Sequence, residues 1–294
     1  MPGAHAVLLV SNLIFATGYS VSRIVLDAID PITLATARLL IGASILAPWA
    51  WSGMRTSKFS REDRWRMAFM GVVGFSLAYA LGNWGLAHST ASNAALLITV
   101  EPASLILLSP LLLGERLSRR EALGAALAFI GATVVVVNGV PGVTRALVPH
   151  WQGDLLLILS GVAYAGYSLL ARPVLLRHPP LVVTAFSVLW GAAGMLPLAL
   201  IRWLAGPPPG WTAGTIAGTL YLGIVMTALG YAVWNWCLER VEAPRVAVFL
   251  NIQPLAGALL GVWWLGERLT VFTVTGGLLI LLGLHLTVKA GRRG

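Results

Sequence analysis

Charged residues are scarce in this chain: Asp, Glu, Lys and Arg make up 11% of its 294 residues, whereas 57% are hydrophobic. An average soluble domain carries roughly a quarter charged residues. A chain with less than half that share cannot cover a globule with a polar surface. The mean hydropathy of this chain, +0.82, leads to the same conclusion. The composition therefore excludes an ordinary soluble enzyme and a disordered protein, and it predicts a polytopic membrane protein.

Residues that bind metals or form disulfides are also scarce. A single cysteine, Cys237, excludes an internal disulfide and a thiolate metal cluster. The five histidines are scattered without the spacing of metal ligands, and no Gly-Lys-Ser/Thr loop for binding a nucleotide phosphate is present. We therefore predict no metal, no cofactor and no enzymatic activity; a membrane-embedded lipid enzyme or a channel are the remote alternatives.

Apolar segments long enough to cross a bilayer, which takes about 20 residues, are abundant. They predict an all-α membrane fold with ten transmembrane helices. The longest connection, 52–66, is rich in charged residues and predicts an aqueous loop. The ten segments lie near 6–24, 32–51, 67–87, 91–113, 121–140, 154–171, 181–201, 212–238, 244–265 and 270–288.

Lys and Arg are distributed unevenly between the two sides of the predicted bundle. If the N-terminus is cytoplasmic, fifteen of them lie in the inner connections and C-terminus, against three in the outer connections. Such a bias places the basic side in the cytoplasm. We therefore predict an inner-membrane protein with both termini cytoplasmic. The bias also accounts for the net charge of +9 without a nucleic-acid partner.

The chain contains an internal repeat. Residues 71–133 and 223–285 align at a constant shift of 152, with 21 identities that include Tyr, Asn, Trp and Pro matches. A Gly-Glu-Arg-Leu sequence occurs in both copies, at 114–117 and 266–269. Upstream, Gly18-Tyr-Ser matches Gly166-Tyr-Ser at a shift of 148. The duplication therefore extends over both halves of the chain.

The repeat predicts an organisation in two units, 1–140 and 153–294, joined by a linker over 141–152. Each unit holds five predicted helices, and five is odd, so the second unit enters the membrane from the opposite side. Inverted-topology repeats of this kind are typical of secondary transporters, whose substrate site lies near the bilayer midplane between the repeats. We expect a central cavity there.

These features together resemble the drug/metabolite transporter superfamily, and within it the ten-helix branch built from two EamA-type domains. The resemblance implies export or exchange of small organic metabolites, commonly amino acids, by alternating access through a central cavity. It also implies peripheral fifth helices, through which homodimers can form. The features that carry it are Arg38, Glu101-Pro102, Gly114-Glu115-Arg116-Leu117, Gly124, Gly131, Pro254, Gly266-Glu267-Arg268-Leu269, Gly276 and Gly283.

Glu101 is the sharpest site candidate. It lies ten residues into the fourth segment, about 15 Å deep at 1.5 Å per residue. A carboxylate at that depth is costly, so it should face the bundle interior and have a partner. The sequence leaves open whether it binds a substrate amine or a coupling proton. Gln253 stands at the equivalent position of the second half, and Pro102 and Pro254, which follow them, predict paired kinks.

Arg38 is the second charged candidate, about 9 Å from the helix boundary. Three interpretations stay open: a pair with Glu101, contact with a substrate carboxylate, or snorkelling towards the interface. Polar aromatic and amide side chains complete the predicted cavity wall, although interhelical hydrogen bonding alone would also explain them. They are Tyr19, Tyr79, Asn83, Tyr164, Tyr231 and Asn235.

The resulting functional hypothesis is a secondary transporter that exports or exchanges small metabolites. Glu101 and Arg38 could offer opposite charges to a zwitterion, and the tyrosines a hydrophobic box, which favours aromatic or hydrophobic amino acids. The alternatives are a cationic drug, which would need Glu101 alone, and a nucleotide-related metabolite, which would need several deep basic residues.

Overall fold

The computed structural model describes residues 2–113, 117–138, 140, 150–233 and 252–290. Within these ranges it holds eight helices that are long and apolar enough to cross a membrane, and two shorter apolar helices. They overlap the ten predicted segments, so the all-helical membrane fold is confirmed. The helices are α1 (Pro2–Leu26), α2 (Pro31–Thr56), α3 (Arg61–Ala87), α4 (Ala91–Leu97 and Val100–Leu113), α5 (Arg119–Val137), α6 (Trp151–Leu175), α7 (Pro180–Ala205), α8 (Ala213–Val233), α9 (Ile252–Leu265) and α10 (Val271–Ala290).

Local sequence signals set several helix ends. Asp30 caps α2 by accepting a hydrogen bond from the Thr33 backbone, with Pro31 at the first helical position, where a missing N–H costs nothing. The prediction of an aqueous loop over 52–66 was too long, because only 57–60 is non-helical. Ser60 caps α3, and Glu62 and Asp63 in its first turn favour the early start.

The inversion of the two halves is visible where α5 packs against α10. Gly124 and Gly131 of α5 are the repeat equivalents of Gly276 and Gly283 of α10. Gly131 packs on Gly276, and Gly283 packs on the carbonyl of Gly124, so the two helices run antiparallel. Equivalent helices that pair antiparallel are related by a two-fold axis in the membrane plane, as the odd helix number predicts.

Other helix pairs repeat this arrangement. The second helices α2 and α7 pack together, and so do the fourth helices α4 and α9. The first helix of each half packs on the fourth helix of the other: α1 on α9, and α6 on α4. The halves are therefore interlocked in one bundle, and a central space between them is bounded by helices from both.

Two π-helical segments occupy equivalent places in the halves. They cover Val72–Leu77 within α3 and Leu222–Leu229 within α8. In the second, the Thr227 hydroxyl donates to the Leu222 carbonyl five residues earlier, at 3.0 Å. Such wide turns occur frequently at functional sites. Each segment ends two residues before a tyrosine of the predicted site, Tyr79 or Tyr231.

The glycines of the fifth helices serve intramolecular packing. A Cβ built at Gly131 or at Gly276 lies 2.6 Å from the backbone oxygen of the other residue. This stripe is covered by the chain itself, so a homodimer would need another surface.

Candidate functional site

A cavity of about 430 Å³ lies between the two halves. Residues of α1 to α4 line one side, and residues of α6, α8, α9 and one residue of α10 line the other. Asn235 lies outside the described residues. Every other predicted site residue lines this cavity: Tyr19, Arg38, Tyr79, Asn83, Glu101, Pro102, Tyr164, Tyr231, Gln253 and Pro254.

Glu101 lies beside a break in α4. Helix Ala91–Leu97 ends before Ile98, and a second helix begins at Val100. Pro102 has no N–H and therefore cannot donate to the Ile98 carbonyl four residues earlier. The Glu101 backbone N–H donates to that carbonyl instead, at 3.0 Å, and closes a tighter turn. Glu101 therefore sits in the first turn of a half-helix near the middle of the bundle. Interrupted helices of this kind form the ion and substrate sites of many transporters.

The Glu101 carboxylate forms a single long hydrogen bond. Its Oε1 accepts one hydrogen bond from the Ser168 hydroxyl of α6, at 3.3 Å. Among the described residues no cation lies within ion-pair distance of it. A carboxylate facing an interior cavity with one weak partner keeps most of its acceptor capacity for a substrate or a proton.

Gln253, the repeat equivalent of Glu101, also contacts the first helix of the other half. Its Nε2 donates to the Tyr19 hydroxyl of α1 at 3.1 Å, and the pair α9–α1 is the counterpart of α4–α6. Tyr19 and the following serine match Tyr167 and Ser168 in the repeat. Two similar contacts therefore flank the cavity, one built on a carboxylate and one on a neutral amide.

Arg38 points to the same cavity and does not pair with Glu101. Its guanidinium carbon lies 4.3 Å from the ring centroid of Tyr79, a cation–π distance. Its Nε donates to the Thr227 hydroxyl at 3.3 Å. Since Arg38 belongs to the first half and Thr227 to the second, this contact joins them. Ser187 stands at the equivalent of Arg38, so both charged residues among the described lining of the cavity come from the first half.

An aromatic cluster forms one wall of the cavity. The buried Phe75 ring meets Tyr79, Tyr167 and Tyr231 edge to face, at centroid separations of 5.9, 5.4 and 5.3 Å. Tyr164 adds a further contact to Tyr79 at 6.1 Å. Edge-to-face packing holds rings rigidly, so the wall is a preformed apolar surface with phenol groups at its edge.

Asn83 and Trp84 are neighbours on α3, but their side chains lie in different environments. Asn83 is buried, and its Nδ2 donates to the Pro31 carbonyl at 3.4 Å. Trp84 is 51% exposed and does not line the cavity, in agreement with an interfacial position.

Sequence reasoning missed two partners of the charged residues, Ser168 and Thr227. Ser168 lies in the repeated Gly-Tyr-Ser sequence, so the repeat could have identified it. Thr227 aligns with Phe75 in the other half, so nothing in the sequence marks it as the partner of Arg38.

The Gly-Glu-Arg-Leu sequence also has a definite role in its second copy. Gly266, at φ +68°, ends α9 in the left-handed conformation that favours glycine. The Glu267 carboxylate then accepts from the backbone N–H groups of Ala91 and Ser92 at 2.6 and 2.8 Å, and from the Ser92 hydroxyl at 2.5 Å. A residue of the second half thus caps the start of α4 in the first half, the helix that carries Glu101 after its break.

A second polar cluster joins the halves at the same face. Asp154 of α6 is fully buried, and it accepts from Asn93 of α4 at 3.2 Å and from Ser89. His150 Nδ1 lies 2.7 Å from the same carboxylate. We refer to this face, which carries the α3–α4, α5–α6 and α9–α10 connections, as the α3–α4 face.

Inverted helical repeats, an interrupted helix with an interior carboxylate, and a cavity between the halves define a membrane transporter. The sequence profile of the EamA-like transporter family matches residues 3–137 and 151–289. The chain therefore belongs to the EamA-like transporter family, and it is a multi-pass membrane protein.

Individual relatives support this assignment along the whole chain. An uncharacterized transporter of Archaeoglobus fulgidus is 30% identical over 283 residues, which cover 96% of each chain. A probable terminal-alkyne amino-acid exporter of Streptantibioticus cattleyicolor is 29% identical, over 97% of this chain and 94% of the relative. A crystal structure superposes with a TM-score of 0.65 over 99% of both chains at 19% identity, which supports the fold alone.

Proposed function

We propose that the protein exports amino acids or amino-acid-like metabolites with aromatic or hydrophobic side chains, by alternating access at the central cavity. The observation that carries the proposal is the placement of Arg38 and Glu101 in one cavity without an ion pair between them. A zwitterionic amino acid supplies the opposite charge to each.

The cavity chemistry supports this substrate class. A guanidinium binds a carboxylate through two parallel hydrogen bonds, and a carboxylate binds an ammonium group. The aromatic wall offers an apolar surface for the side chain. A volume of about 430 Å³ lies within the usual range for small-molecule sites.

The competing substrate classes fit less well. A cationic drug would leave Arg38 without an anionic partner in the cavity. A nucleotide-related metabolite would need several cations, and Arg38 is the one Lys or Arg among the described residues that line the cavity. The relative named as an amino-acid exporter agrees with the zwitterion hypothesis.

Glu101 is also the group that we propose for proton coupling. A substrate ammonium and a proton would compete for the same carboxylate, so inward proton flow could drive substrate out. The excess of Lys and Arg on one side supports an inner-membrane location with both termini cytoplasmic. With that orientation the α3–α4 face is directed away from the cytoplasm.

The experiment that tests the substrate class is counterflow in proteoliposomes with three related compounds. Phenylalanine carries both charges, phenethylamine lacks the carboxylate, and phenylpropionate lacks the amine. We expect saturable exchange of phenylalanine alone. In Arg38→Gln we expect phenylalanine exchange to fall about tenfold or more, because the carboxylate loses a charged hydrogen-bond partner. Arg61→Gln, an exposed matched control, should resemble the wild type.

Equal exchange of phenethylamine and phenylalanine by the wild type would favour a cation exporter. Flux that does not saturate would favour a channel. Either result would contradict the proposal.

A further inference from the structure

A second cavity lies on the lipid-facing surface, between α2 and α7. This groove encloses about 410 Å³. Its lining consists of Ala47, Ala50, Trp51, Met54, Phe186, Leu189, Trp190 and Ala193. The residues that line it on α2 span about 10 Å along the helix axis, which fits within one leaflet of a hydrocarbon core about 30 Å thick.

A positive charge lies beside Trp51 of the groove. Arg55, one turn after Trp51, holds its guanidinium carbon 5.1 Å from the Trp51 ring centroid. Among the described residues no carboxylate pairs with Arg55, because the two acidic residues in the first turn of α3 are engaged elsewhere. Glu62 pairs with Arg66 at 2.6 Å, and Asp63 pairs with Arg177 at 2.6 Å.

The chain that follows Arg55 is also basic. Lys58 in the α2–α3 connection and Arg61 at the start of α3 are exposed, and neither forms an ion pair with a described residue. Juxtamembrane basic segments attract anionic lipid headgroups. An apolar groove at membrane depth that opens beside an unpaired arginine matches the two parts of a phospholipid.

We propose that this groove is a binding site for an anionic phospholipid. One acyl chain lies between α2 and α7 against Trp51 and Trp190, and the phosphate group is bound by Arg55. A second copy of the chain fits this surface less well. A two-fold interface places the same patch on both partners, which would bring two basic connections together.

The test uses the purified full-length protein and native mass spectrometry with added phosphatidylglycerol or phosphatidylcholine of identical chains. We expect the wild type to retain phosphatidylglycerol preferentially. Arg55→Gln should reduce that retention about fivefold. Arg64→Gln removes an equal charge from an exposed position of α3, nine residues along the chain from Arg55 and outside the groove lining, and it should leave retention unchanged.

A second pair of variants tests the groove itself and leaves Arg55 in place. Ala193 is exposed, so Ala193→Phe fills the groove without disturbing the core. We expect it to lose phosphatidylglycerol, whereas Leu198→Phe, on an exposed position of α7 outside the groove, should retain it. Circular dichroism of each variant verifies that the helices are intact.

Three results would overturn the proposal. Equal retention of both lipids by the wild type would show that the groove does not select a charged headgroup. Equal losses in Arg55→Gln and Arg64→Gln would indicate a diffuse basic surface in place of a site. A change in the number of copies per particle in Ala193→Phe would identify the groove as a contact between protein chains.

Discussion

At the scale of single residues, the cavity depends on a few groups that are held loosely enough to bind something else. Glu101 accepts one hydrogen bond at 3.3 Å, and Arg38 rests on a ring and one hydroxyl. Groups that served only the fold would be expected to satisfy each other, because an unpaired interior charge is costly. Their separation is therefore the strongest sign of function in the chain.

Thr227 is predicted to position Arg38. Thr227→Val keeps the shape of the side chain and removes the acceptor of the Arg38 Nε–H, so the guanidinium loses its link to the second half. We expect the apparent KM for phenylalanine to rise about two- to tenfold, the range for one hydrogen bond, with the maximal rate less affected. Counterflow kinetics measure this change.

Thr227→Ser is the matched control, since it restores the hydroxyl and should recover the wild-type KM. If the serine variant were as impaired as the valine variant, the hydroxyl would not be the relevant group.

Side-chain contacts of this kind are also where sequence reasoning is weakest. Tyr79, Glu101 and Gln253 could be predicted to line the cavity because a polar group in a membrane helix must face inward. Thr227 could not, because its role depends on the distance between α2 and α8, which no local pattern encodes. The sequence left three interpretations of Arg38 open for the same reason, and the structure shows no ion pair between Arg38 and Glu101.

At the scale of helices, close packing between equivalent elements holds the halves together. Gly131→Ala should destabilise the protein, because the added Cβ would lie 2.6 Å from the Gly276 carbonyl oxygen and the backbones would have to separate. We expect a lower melting temperature in detergent, by an amount that corresponds to about 1–3 kcal/mol. Gly214→Ala is the control, since its Cβ meets only the Thr212 hydroxyl at 3.8 Å.

A melting temperature of Gly131→Ala equal to that of Gly214→Ala would contradict the packing of α5 against α10. The glycine pattern itself was readable from the sequence, but whether it served packing or dimerisation depended on which helix covers it.

Glu267 is predicted to act as a latch at the α3–α4 face. Glu267→Gln weakens the charge-assisted cap on α4, and such caps contribute about 0.5–2 kcal/mol. We expect the cavity to become more accessible from this face. In a Cys237→Ser background, Leu86→Cys lines the cavity within one residue of the end of α3, and it should react faster with a membrane-impermeant thiol reagent when Glu267→Gln is added.

Glu62→Gln is the control for this experiment, because Glu62 is an exposed carboxylate paired with Arg66 at the opposite end of α3. Unchanged labelling in the Glu267→Gln background would mean that the cap stabilises α4 without influencing access.

At the scale of the whole molecule, the repeat made the architecture predictable. An odd number of helices per half implies inversion, and the antiparallel pairs α5–α10, α2–α7 and α4–α9 follow from it. The connection over 52–66 was overestimated because basic residues suggested an aqueous loop, whereas Ser60 and the acidic first turn start α3 early. The π-helical segments were not predictable either, since they preserve the hydrophobic pattern of an ordinary helix.

The central claim is that one cavity, with Glu101 as its only carboxylate among the described lining residues, performs transport. The most direct measurement is phenylalanine counterflow by wild type and Glu101→Gln at pH 6 and pH 8. The variant should fold, because Gln253 shows that an amide is accommodated at the equivalent position. We predict pH-dependent, saturable exchange by the wild type, and exchange that is lost or independent of pH in the variant. Wild-type exchange rates and wild-type pH dependence in Glu101→Gln would contradict the account.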